Sequence, residues 1–204
     1  MAFKVIEYVA LRTSQAVGAI RLYLANKTRT WRGGQQSAGP ITPAANASLS
    51  GQIALPVPTD FLGSARRHMQ DALMLESANR KANSGQLLGF TAECGVKAVM
   101  VWLGYPTDAS GSPHNIRGAP HNLRAHVDAI SGRLVAIESF VLSISGRSGS
   151  AYLALIPSIN HFSSWSVDHR YYREASIPNS FADWKTAALE VMAMLDQATK
   201  DGMS

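Results

Sequence analysis

Beyond residue 59 the apolar positions recur mostly three and four residues apart, the spacing of helices packed on one side. Asp60 is a good N-cap, and the pattern after it predicts a helix over about 61–79. Phe61, Leu62, Ala65, Met69, Ala72, Leu73 and Met74 mark most of one face, and Arg66, Arg67, Asp71 and Glu76 fall elsewhere. A second helix is predicted over about 82–103. Leu87, Leu88, Phe90, Ala92, Cys94, Val96 and the run 98–103 leave it almost no polar side, which predicts a central helix buried all round. Gly85, Gly89 and Gly95 lower its helix propensity by up to roughly 1 kcal/mol each, and they suit close approach of a neighbour.

A Gly-, Ser- and Pro-rich loop over 105–120 follows. From Asn122 a third helical stretch is expected, with Leu123, Val127, Ile130, Leu134, Ile137, Phe140 and Val141 in register and Gly132 placed to kink or split it. A short helix is expected over 150–156, then a loop carrying Trp165 and Tyr171, then a last helix over about 180–199. No segment alternates with period two for long enough to predict a sheet. Residues 59–204 are therefore expected to form an all-α, antiparallel up-and-down bundle of four to six helices.

The first 58 residues differ. Phe3, Ile6, Val9, Val17, Ile20 and Leu24 predict a helix over 1–25, and the Gly-, Pro-, Ala- and Asn-rich stretch 26–58 reads as a flexible linker. This extension holds six basic side chains and one acidic, the whole of the chain's net +5. The bundle's 13 basic and 13 acidic side chains balance, so net charge gives the bundle no electrostatic pointer to nucleic acid. Composition, 46% hydrophobic and 16% charged, is that of a globular chain. The longest apolar run, 98–105, falls short of the ~20 residues a membrane helix needs. Glu7 and Arg12 interrupt any signal-like segment, and Cys94 is a lone cysteine; a cytoplasmic location is the expectation.

The segment Arg67-His-Met-Gln-Asp-Ala-Leu-Met-Leu, followed by Asn83-Ser-Gly-Gln-Leu-Leu-Gly-Phe-Thr-Ala-Glu-Cys-Gly-Val-Lys-Ala, resembles the HEPN superfamily of helical domains. Pro120-His-Asn-Leu after the central helix and Trp165-Ser-Val-Asp-His-Arg-Tyr before the last one agree in order. The resemblance implies a helical bundle, commonly a homodimer, of the kind found in prokaryotic toxin–antitoxin and phage-defence systems. Its implied partners are RNA or a nucleotide, or a cognate antitoxin or nucleotidyltransferase protein, with no cofactor and no metal. Many such domains are metal-independent endoribonucleases with Arg-x(4–6)-His, in which histidine moves the ribose hydroxyl proton and arginine's fork stabilises the phosphate. That spacing is missing here: three residues separate Arg117 from His121, and eight separate Arg117 from His126. An accessory or binding domain is therefore the first expectation, and a nuclease with an unusual centre the alternative.

The candidate residues follow from their chemistry. Glu93 and Lys97, four apart on the most apolar helix, form either a structural pair or part of a site, and Asp71 on the preceding helix is placed to join them. His68, beside Arg66 and Arg67, suits phosphate contact or an ordinary solvated face. Trp165, Asp168, Arg170 and Tyr171 concentrate polar and aromatic groups; they suit phosphate and base recognition, or an aromatic lock with Asp168 neutralising Arg170. In the nuclease alternative His121 is the base, and Arg170 or Arg117 stabilises the phosphate; capping or packing is the competing role for His121.

Overall fold

Asp60 begins the bundle as expected, its carboxylate accepting a hydrogen bond from the Gly63 amide at 2.6 Å. The computed structural model describes residues 58–204. The predicted helix over 1–25 and the linker up to residue 57 lie outside the described residues. Six α-helices follow Asp60: α1 (Phe61–Ser77), α2 (Lys81–Trp102), α3 (Val127–Ser131), α4 (Leu134–Ser145), α5 (Ser150–Leu153) and α6 (Phe181–Lys200). Three short 3-10 helices, Ile159–Ser164, Val167–Tyr171 and Glu174–Ser176, carry the chain from α5 to α6. No strand occurs among the described residues, where Thr107 and Pro113 form a single isolated bridge. None of these helices is long and apolar enough to cross a membrane.

The apolar pattern of α2 works as the sequence predicts. Leu88, Ala92, Val96, Val99 and Met100 are buried, and so are Gly85, Gly89, Thr91 and Gly95 on the other flanks. The helix packs most extensively on α1, next on α6, and meets α3, α4 and Val167–Tyr171 on its remaining sides. Three glycines make this wrapping possible. A Cβ at Gly89 would overlap the Trp165 indole, one at Gly95 would overlap a methyl of Val191, and one at Gly85 would press on Trp184 at 3.1 Å. Trp165 also donates its indole N–H to the Gly85 carbonyl at 3.1 Å, so the ring is both packed and hydrogen-bonded.

Helix directions are less regular than a strict up-and-down chain. The turn at 78–80, with Asn79 at φ 59°, reverses α1 into α2. On α1, Glu76 binds Lys185 at 2.7 Å while Arg66 reaches Thr199 at 3.4 Å, so α1 also runs antiparallel to α6. Gly85 faces Trp184 and Gly95 faces Val191 and Leu195, so α2 and α6 run the same way. The winding segment between them returns the chain to the end of the bundle where α2 begins.

The third predicted helix is shorter and split. Residues 122–126 are not helical: the buried Tyr105 hydroxyl accepts from the Leu123 amide at 3.0 Å and donates to the carbonyl of the preceding His121 at 3.1 Å, which holds the chain in a turn. Asn122 does not cap a helix; its side chain accepts from the Arg124 amide at 3.0 Å in a local turn. Helix α3 begins at Val127, and the break between α3 and α4 falls at Gly132, as its position predicts.

Candidate functional site

The midpoint of α2 carries the most enclosed charged cluster. Glu93 and Lys97 pair on one face at 2.7 Å, with side chains 12% and 10% exposed. The second carboxylate oxygen of Glu93 meets Nδ1 of His126 at 2.9 Å, from the residue immediately before α3. One buried carboxylate thus holds an ammonium on one oxygen and an imidazole on the other. Asp71 does not join the pair; it is exposed on α1, and His126 takes the place expected of it.

Around this core the setting is aromatic. Phe90, one helical turn before Glu93, lies edge-on to Trp165 at 5.6 Å, and the His126 ring stands 6.4 Å from the same indole. His68 tilts against Phe90 at 5.6 Å. Burial, and then the Arg67 guanidinium, hold the His68 imidazole below its ordinary pKa, against the opposing fields of Asp71 and Glu93. Burial, followed by the Glu93 charge, pushes the Cys94 thiol up to about 11, which keeps it protonated and unreactive near neutral pH.

The remaining predicted residues do not converge. His121 stacks on Phe140, centroids 4.1 Å apart and planes at 18°, close to Tyr105 just past the end of α2. Arg170 is exposed over the Tyr171 ring, 4.7 Å from its centroid, and lines a groove with Ala82 and Gln86 at the start of α2. About 25 Å of helix axis separates Gln86 from Leu103, so His121 and Arg170 belong to opposite ends of α2. Arg117 is exposed in the loop before His121. Asp168 and Arg170 form no ion pair among the described residues; the loop is pinned by the buried Trp165, whose indole N–H reaches the Gly85 carbonyl, and by Gln86, whose amide nitrogen donates to the Ser166 carbonyl. Trp165 is buried, while Asp168 and Tyr171 point to solvent.

The residue that sequence reasoning missed is His126. No local motif marks it, since its partner lies 33 positions away and the turn that presents it depends on Tyr105. Chemically, Glu93 can orient the His126 ring and leave its second nitrogen facing outward from a half-exposed side chain, an arrangement suited to proton transfer or to hydrogen bonding with a ligand. Among the described residues the only charged groups in direct contact with this carboxylate are Lys97 and His126; no arginine reaches it.

No protein-family model, no curated protein and no solved structure matches the chain.

Proposed function

We propose that this protein is a HEPN-like accessory or binding domain, of the kind that serves prokaryotic toxin–antitoxin or phage-defence systems, and that it engages a phosphate-bearing or protein partner. The sequence resemblance supplies the family, and one observation carries the choice of binding over catalysis. His121 and one of its two candidate phosphate stabilisers, Arg170, stand at opposite ends of α2; the other, Arg117, is an exposed side chain of the loop before His121, whose own ring is stacked on Phe140. The best-oriented histidine, His126, has a carboxylate but no arginine beside it. A homodimer in the cytoplasm belongs to the same reading, with RNA, a nucleotide, or a cognate antitoxin or nucleotidyltransferase as partner.

The second reading, a metal-independent endoribonuclease, is favoured by the 2.9 Å contact between Glu93 and His126. In it His126 replaces His121 as the base: its outward nitrogen takes the 2′-hydroxyl proton, the 2′-oxygen bonds to phosphorus as the P–O5′ bond breaks, the departing 5′-oxygen takes a proton from water, and the cleaved strand ends in a 2′,3′-cyclic phosphate. Incubation of single-stranded and structured RNA with the protein in EDTA separates the two. The binding reading expects intact RNA with wild type and His126→Ala alike. Cyclic-phosphate products made by wild type and lost in His126→Ala would overturn it.

A further inference from the structure

The first turn of α2 borders a groove that the Glu93 cluster does not use. Its cavity is about 180 Å³, walled by Ala82, Asn83 and Gln86 of α2 and by His169, Arg170 and Tyr172 of the segment opposite. A second hollow continues from it past Arg80. Arg80, at the N-cap of this 22-residue helix, makes no side-chain capping bond, and the first turn has no acidic residue. The first amides of α2 are thus left to solvent or a ligand, and the helix dipole favours an anion there.

One walled-in polar side chain points to a ligand independently of the helix end. His169 is only 7% exposed, and its Nδ1 accepts from the Ser166 amide at 3.4 Å. That bond leaves the ring's proton on Nε2, a donor with no partner among the described residues. Gln86 is also 7% exposed. Its amide nitrogen donates to the Ser166 carbonyl at 2.9 Å, while its Oε1 is the one buried side-chain nitrogen or oxygen without a partner among the described residues. That atom is closed off from the groove, so the unmatched group facing it is the His169 donor, which calls for an acceptor on the ligand. Arg170 adds a guanidinium at the mouth, and Glu174 is the one carboxylate there, against Arg80 and Arg170.

We propose that this groove binds a small phosphate monoester. The phosphate would accept from His169 Nε2, Arg170 and the first amides of α2. A cavity of about 180 Å³ lies below the ~300 Å³ at which ordinary ligand pockets begin, so the recognised unit is of pentose-phosphate size. The same unit occurs as a free sugar phosphate and at the 5′ end of a nucleic acid strand. This site stands whether or not the family reading of the Glu93 face holds.

Calorimetric titration of the full chain with ribose 5-phosphate, ribose and a 5′-phosphorylated trinucleotide tests it. Saturable binding of ribose 5-phosphate and none of ribose is expected. Arg170→Ala and His169→Phe should each weaken binding roughly tenfold or more, the usual effect of losing a hydrogen bond to a charged group. Arg133→Ala, the same charge change on the exposed turn between α3 and α4, should leave it unchanged. The trinucleotide tells the two sources apart: tighter binding than ribose 5-phosphate assigns the groove to strand ends, weaker binding to the free ester. Absence of saturable binding at millimolar ribose 5-phosphate overturns the proposal, and so does binding that Arg170→Ala leaves intact. Arg170 is exposed, so that variant decides the matter even if His169→Phe disturbs the fold.

Discussion

Glu93 meets His126 across 33 residues of sequence, Oε2 to Nδ1 at 2.9 Å, while its other oxygen holds Lys97 at 2.7 Å. The two contacts are unequal in kind. Lys97 is as deeply enclosed as Glu93, whereas the His126 side chain is half exposed and can rehydrate if released. The carboxylate is therefore the keystone of the cluster.

This asymmetry sets the order of two mutations. Glu93→Gln strands the enclosed Lys97 ammonium without a counter-charge, and breaking a buried pair in that way costs roughly 3–5 kcal/mol. Lys97→Met keeps the stem's packing and leaves Glu93 its His126 partner, so the loss should be clearly smaller. Urea unfolding of both variants checks the order; equal losses would remove the keystone role.

Gly89→Ala should destabilise by about 1–3 kcal/mol, the usual cost of overpacking, because the added methyl meets the Trp165 indole rather than open space. Gly132 has nothing within reach of a Cβ. Gly132→Ala is therefore the matched control, expected to shift the thermal midpoint little. Trp165 fluorescence should change in the first variant and not in the second.

Stability should fall on mild acidification through His68. Its folded-state pKa lies below the ordinary 6.5, so the unfolded chain takes up the proton first. The contribution is complete above about pH 6.5 and is lost as pH falls through the lower folded value. His68→Phe, which keeps the contact with Phe90, should flatten the stability profile between pH 7 and the acid limb. A profile unchanged by this variant would mean that His68 is not the group being titrated.

The all-α bundle was legible because burial writes itself into periodicity. Asp60 announces α1, and the unbroken apolar run of α2 announces a helix with neighbours on every side. The split at Gly132 was legible for the same reason. The start of α3 was not, since the hydroxyl that holds the turn before it belongs to Tyr105, earlier in the chain. The Glu93–Lys97 pair could be read from its four-residue spacing, whereas His126 comes from a distant turn. His169 and Gln86 stood within the segments that carry the family resemblance, but their unmatched donor and acceptor appear only when α2 and the 166–171 segment are set face to face. His121 and Arg170 looked like partners because both join suitable chemistry to a loop; only the length of α2 between them shows otherwise.

Both sites hang on α2, Glu93 and Lys97 at its middle and Gln86 at its start. Amide hydrogen exchange along 86–100 is therefore the most direct test. The architecture predicts that these amides are the slowest in the chain and open only with global unfolding. Exchange there as fast as in the exposed residues at 142–148 would contradict the enclosure of α2, and with it the placement of either site.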